Sequence, residues 1–354
     1  MSPTTLSNLA ITDTLHLDDY LIRPSRATDI PSIVALLNAH SRSILGTSTI
    51  LLEQYASLWP KQYFNAPENT VVVTTPADEV VGYLQLEAEH PGVVMEINGA
   101  VHPHYRGAGI GRTLLRWAER KAHVRCLQAP AGSQVSLQLS LHASDLDGRE
   151  LVQRAGFAPV RRWAHFETSL THEPQAPRWP DGIRVRELNP YRDWPTVGTA
   201  MLEAYRDHWG HITAQFPEPP HAPEDELVEA ATFFDDDPYF NTHGLCFVAV
   251  QGEEVVGSCI GAARTVEWQD SGQIGSVSVR RPWRRQGVAT ALLQHAFRAY
   301  YRRGIYRVVA ECDQDSFTGA HKLFGQVGMS RFRHADIYEK VIRRGQELRQ
   351  LCRL

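Results

Sequence analysis

Cysteine is scarce and scattered: Cys126, Cys246, Cys259, Cys312 and Cys352 are odd in number, and no two form a CxxC pair. That argues against a disulfide framework and for reduced thiols in a cytoplasm. Histidine is plentiful at sixteen, but none falls in HExxH or another ligand spacing, so no metal is expected. No apolar run approaches the ~18 residues that cross a bilayer. The opening stretch, MSPTTLSNLAITDTLHLDDY, has no basic start followed by an apolar block. It reads as a polar tail over residues 1–18, not as a secretory signal. The net charge of −4 gives no global attraction to nucleic acid or to an anionic membrane. With 43% hydrophobic and 21% charged residues, the 354 residues suit two ordinary globular domains of roughly 100–200 residues each.

What the chain does have is a second copy of itself. ADEVVGYLQL (77–86) is answered by GEEVVGSCIG (252–261), and VHPHYRGAGIGRTLL (101–115) by VRRPWRRQGVATALL (279–293). The second pair keeps an offset of 178 residues from Val101 and Val279 through Leu114 and Leu292. RAGFAPVRRW (154–163) then answers QVGMSRFRHA (326–335), and LIRPSRATD (21–29) answers IRVRELNPY (183–191). Order is kept throughout, which predicts two copies of one fold, over 19–170 and 181–354. The Pro-rich segment THEPQAPRWPDG suits a linker, placed at 171–180. Within each copy, strands first pair as a meander and then alternate with helices. That is a mixed α/β arrangement, α+β in character: a largely antiparallel start followed by a βαβ unit.

Both copies place small residues where a strand hands over to a helix. Ile110, Leu114, Leu115, Ala118 and Ala122 repeat at helical spacing after the first loop, as do Val288, Leu292, Leu293, Ala296 and Tyr300 after the second. Each loop therefore opens a buried helix, whose first N–H groups lack partners and carry partial positive charge. Small residues ahead of such a helix let backbone amides close around an anion, phosphate above all. A plain packing turn would also use glycine. The pattern Arg-x-x-Gly-x-Gly/Ala, however, occurs in both copies: Arg106, Gly109, Gly111 and Arg284, Gly287, Ala289. Arginine adds paired donors suited to phosphate oxygens. A Walker loop needs Gly-Lys-Ser/Thr, and a dinucleotide fingerprint needs GxGxxG; neither loop fits.

VHPHYRGAGIGRTLL and VRRPWRRQGVATALL resemble the acyl-CoA pyrophosphate loop of the GNAT acyltransferase superfamily, and RAGF and QVGM are similar to that family's closing helix and strand. The resemblance covers nearly the whole chain and implies two tandem GNAT folds. It implies acetyl-CoA as cosubstrate, held by Val101, Arg106, Gly107, Ala108, Gly109, Gly111 and Arg112 in copy one. The counterparts in copy two are Val279, Arg284, Arg285, Gly287, Val288, Ala289 and Thr290. It also implies transfer of the acetyl group to a primary amine of a small molecule, with no nucleic acid or membrane involved. The chain would be a monomer with an internal pseudo-dimer, or a homodimer.

The chemistry sets further requirements. An amine with a pKa near ~10 needs a base, and the attacked thioester carbonyl needs a fixed N–H. By resemblance that N–H belongs to a bulged strand near Val101 and Val279. Glu96, five residues before Val101, is the candidate base of copy one; a surface strand carboxylate is the alternative reading. In copy two the matching position is Ile274, leaving Glu267 and Asp270 as weaker candidates. The family's usual acid, a tyrosine four residues before the late glycine, is replaced by Val152 and Phe324. A thiolate of pKa near ~8.5 can leave unassisted. Tyr205, His208, Trp209 and Phe216, with the acidic runs 224–229 and 235–237, suit an acceptor cleft or a solvated face equally. The missing acid and base also suit a second function class, an acyl-CoA-binding sensor or scaffold in which one or both copies do not turn over.

Overall fold

A computed structural model of the chain describes residues 17–59, 65–88, 91–212 and 242–351. The expected tail lies almost wholly outside them, as do Phe216, both acidic runs and Cys352. The chain forms two compact units: residues 1–161 with 335–348, and residues 162–334 with 349–354.

Unit 1 opens with β1 (Leu21–Pro24), α1 (Ile30–Leu45), α2 (Leu52–Leu58) and the short α3 (Ala66–Asn69). The meander is β2 (Thr70–Thr74), β3 (Val80–Ala88) and β4 (Val94–Val101), antiparallel throughout. Then come α4 (Ile110–Arg125), β5 (Val135–His142), parallel to β4, and α5 (Leu146–Arg154). The apolar face expected of α4 is buried at Ile110, Leu114, Leu115, Ala118 and Ala122.

β6 (Ala158–Ser169) leads into unit 2, which repeats the order with β7 (Ile183–Glu187), α6 (Pro190–Tyr205), β8 (Phe247–Gln251) and β9 (Glu254–Ala262). There follow β10 (Ser271–Val279), α7 (Val288–Arg302), β11 (Arg307–Asp313), parallel to β10, and α8 (Ala320–Gln326). The duplication reaches individual ion pairs. Arg23 of β1 grips Asp29 ahead of α1 through both terminal nitrogens, at 2.6 and 2.9 Å, and Arg186 of β7 grips Asp193 of α6 in the same fork.

The closing strands depart from the linear reading. RRWAHFETSL pairs over Trp163–Ser169 with β11 of unit 2, and Ala164 and Phe166 enter that unit's core. The last strand, β12 (Ser330–Arg343), pairs over Ala335–Arg343 with β5 of unit 1. There Tyr338 is fully buried and accepts a hydrogen bond from Arg149 Nε at 2.9 Å, and Lys340 pairs with Glu119 at 2.7 Å. Each copy thus supplies the strand that completes the other copy's unit. A period-two pattern states which face is buried, not which strand lies alongside, so two similar closing strands can be exchanged.

Candidate active site

In unit 1, β4 and β5 pair only over Val94–Glu96 and Ser136–Gln138, although both strands run on. Beyond that point they part. The parted segments, Ile97–Val101 and Leu139–His142, line a cavity of about 1080 Å³ walled also by α1, α2 and the glycine loop. Parted strands leave ladder N–H and C=O groups that a ligand can use. In unit 2, β10 and β11 pair over Ser271–Ile274 and Arg307–Ala310 and then part in the same way.

The loops share their left-handed backbone turns. Gly107 and Gly109 both have φ of +84°; their counterparts Arg285 and Gly287 have +62° and +92°. Gly109 and Gly287 are the left-handed N-caps of α4 and α7. The first amide of each stretch to find an acceptor is Thr113, on Gly109 O, and Ala291, on Gly287 O. Among the described residues, the six amides of 107–112 and the six of 285–290 donate no hydrogen bond. A Cβ placed at Gly107 or Gly287 would meet nothing within 4 Å, and one at Gly109 would meet Leu17 Cδ1 at 3.4 Å. Unpaired donors at the positive end of a buried helix suit a diphosphate. Gly111 has another duty: a Cβ there would come 2.7 Å from Leu151 Cδ2, so it lets α4 pack on α5. Ala289 takes that place in unit 2. Val288 is buried, Thr290 half-buried, and Ala108 and Arg112 are exposed.

Arg106 and Arg284, expected from the sequence as phosphate donors, hold protein. Arg284 donates from Nε to Val279 O at 2.9 Å, from Nη1 to Asp207 at 2.5 Å and from Nη2 to Ala204 O at 2.8 Å. All three of its nitrogens are engaged, tying the loop to β10 and the end of α6. Arg106 makes the same tie to α1, donating to Ser43 Oγ at 2.8 Å, with Asp147 at 3.5 Å.

Asp207 anchors this tie in unit 2. Arg281 first, then Arg284, holds its carboxyl down to about 2, against the opposing effect of burial. A depressed carboxyl stabilises the fold above its unfolded value near ~3.9, and that stability is lost as pH falls toward 2. Asp207→Asn is therefore expected to cost about 2 kcal/mol at pH 7. Its stability curve should also flatten between pH 4 and 2, as read by urea unfolding at each pH.

The bulge expected near Val101 and Val279 is absent from β4, which pairs with β3 in unbroken register from Met95 to Val101. It exists in β10, four residues ahead of Val279, where the register shifts between Ile274 and Ser276 at Gly275. Val101 and Val279 are half-buried at the strand ends. Glu96 is exposed and sits opposite Glu87 and Gln138, where β4 and β5 begin to part, but outside the cavity wall. Glu267 is not placed as a base. Both its oxygens are taken by Arg333, whose guanidinium also lies 4.4 Å over the Trp268 ring. Cys312 is a buried thiol that burial pushes up to about 12, so it is no nucleophile.

One residue near the first loop escaped the sequence reading. His40 of α1 lines the cavity with Nε2 3.8 Å from Asp145 Oδ2 and Nδ1 3.4 Å from Arg106 Nη2. In unit 2, Tyr205 bonds Ser276 Oγ, just past the bulge, at 2.5 Å and stacks edge-on with His208 at 4.6 Å. A lone histidine on an apolar helix has no local signature.

Comparison with known proteins agrees with this geometry. Residues 197–329 match the Acetyltransferase (GNAT) family and residues 67–159 the Acetyltransferase (GNAT) domain. A GCN5-related N-acetyltransferase structure from Sphaerobacter thermophilus superposes with a TM-score of 0.73 at 31% identity, over 94% of this chain and 99% of that one. A tandem GNAT protein from the clavulanic acid biosynthesis pathway superposes with a TM-score of 0.65 at 16% identity, over 92% and 100% of the two chains. The mycothiol acetyltransferase of Streptomyces scabiei is 28% identical over 68% of this chain and 70% of its own length. That of Salinispora tropica is 27% identical over 76% and 80%. The chain belongs to the GNAT acetyltransferase family, with two such domains in tandem, and is an acyl-CoA-dependent N-acetyltransferase. No helix among the described residues is long and apolar enough to cross a membrane, and no cluster of metal-ligating side chains occurs among them.

Proposed function

We propose that the chain moves the acetyl group of acetyl-CoA to a primary amine of a small molecule by direct attack of the amine on the thioester. The observation that carries this reading is the paired nest: six amides without acceptors at the head of a buried helix, present twice with the same left-handed turns. The diphosphate would lie on the nest, and the thioester arm would enter between the parted strands, where β4 and β10 offer backbone groups to the carbonyl. Unit 1 also has room for an acceptor, since its cavity of about 1080 Å³ extends from the loop past α1 and α2 to Tyr55 and Tyr83. Much of the rate would come from holding two reactants in register.

The test is release of free thiol from acetyl-CoA against a panel of amines. Polyamines, aminoglycosides, amino-acid derivatives and a mycothiol-type amine, prompted by the relatives' names, belong in it. Amine-dependent release with matching N-acetylated product is expected. Binding of acetyl-CoA with no release from any amine would favour a sensor or scaffold.

A further inference from the structure

In each unit a histidine stands where the end of the first helix, the glycine loop and the parted strands converge. In unit 1 the charged groups facing His40 are Asp145 at 3.8 Å and Arg106 at 3.4 Å, with Asp147 reaching it only through Arg106. In unit 2, His208 lies three residues past α6 and feels Arg284, Asp313, Asp207 and His211. Arg106 and Arg284 hold the same loop position. Asp145 follows β5 by three residues and Asp313 ends β11. The two histidines differ in place, His40 lying inside α1 and His208 beyond the end of α6. Meanwhile Val152 and Phe324, at the positions where an acid would be expected, are buried and have no proton to give.

We propose that His40 is a catalytic residue of unit 1, taking a proton from the attacking amine and passing it to the departing thiolate. This rests on the reading that unit 1 holds acetyl-CoA on its loop. With Nε2 3.8 Å from Asp145, the Nδ1 lone pair is the proton acceptor, reached by an amine that displaces its long, 3.4 Å contact with Arg106. The amine nitrogen bonds the thioester carbon and the carbon–sulfur bond breaks. One amine proton moves to Nδ1, and the imidazolium, steadied by Asp145, then gives it to sulfur. Counted from the neutral amine, the products are the N-acetyl amide and CoA thiol with no net proton gained or lost; an ammonium gives its extra proton to solvent beforehand. One imidazole thus serves as base and then acid, which accounts for Val152 at the usual acid position. Burial, foremost, and then Arg106 lower the pKa of His40 while Asp145 raises it; the net shift is downward, so the ring is neutral at pH 7.

The test uses the full chain carrying Gly287→Glu, which blocks the second loop and isolates unit 1. In that background His40→Gln is expected to lower kcat/KM about a hundredfold. Acetyl-CoA affinity by calorimetry should change less than about twofold. The rising limb of the pH profile, centred below the ordinary histidine value of ~6.5, should disappear. Proton NMR should show the His40 ring titrating below ~6.5, and lower still in Asp145→Asn, which removes the anion that raises it. His40→Asn is the second variant if His40→Gln unfolds. Turnover within about threefold of the background with the same pH limb would overturn the proposal and leave the acetyl-CoA reading intact. So would a Gly287→Glu chain that binds acetyl-CoA yet releases no thiol. A Gly287→Glu chain that fails to bind acetyl-CoA would instead sink the reading beneath it.

Discussion

Gly109→Glu should abolish one of two acetyl-CoA sites, and Gly287→Glu the other. Each glycine sits in a left-handed turn, at φ +84° and +92°, immediately ahead of a buried helix. A side chain there costs about 1–2 kcal/mol in backbone conformation alone. A carboxylate placed about 4 Å from a phosphate charge adds repulsion of about 4 kcal/mol at an effective dielectric of 20. Together these weaken a site by at least about a thousandfold. Calorimetry should therefore show two acetyl-CoA per wild-type chain, one per single variant and none in the double variant. Gly109→Ala carries the backbone strain without the charge, so its loss should be within about thirtyfold. If Ala and Glu weaken binding equally, the damage is to the turn and not to anion recognition.

The second large effect concerns the exchanged strands. Tyr338 lies in the last strand of the second copy, yet it is fully buried against unit 1, opposite Leu139 of β5. Tyr338→Ala removes an aromatic side chain from a closed core and the acceptor of Arg149 Nε, at a cost of about 3–5 kcal/mol. The loss should fall on unit 1. Hydrogen exchange should speed up across Val135–His142, while β11 over Arg307–Asp313 keeps its protection. Tyr338→Phe keeps the ring and loses only the hydroxyl, for about 1 kcal/mol. Faster exchange in β11 with β5 unchanged would mean that each unit closes on its own strand.

These outcomes bear on what could be read without coordinates. The helices of the two loops were legible because burial recurs every 3.6 residues, and Ile110 through Ala122 and Val288 through Tyr300 do face inward. The left-handed turns were legible because glycine marks them; Arg285, at +62°, takes the same conformation without that mark and was found by its offset alone. Sequence did not tell what the loop arginines hold, because a guanidinium suits a carbonyl, a carboxylate and a phosphate alike. Nor did it tell where Glu267 points: Arg333 lies 66 residues away along the chain and both carboxylate oxygens reach it. The exchange of closing strands was hidden for a related reason, since the alternation of RRWAHFETSL fits either sheet.

The central claim is that the main-chain hydrogens at the head of α4 and α7 grip the diphosphate. Amide NMR of the chain labelled with 15N tests this most directly, with acetyl-CoA added to saturation. The account predicts downfield shifts at Gly107, Gly109 and Gly111 and at Gly287, as hydrogen bonds to phosphate form where no acceptor stood before. Saturable binding that leaves those amides unmoved would contradict it.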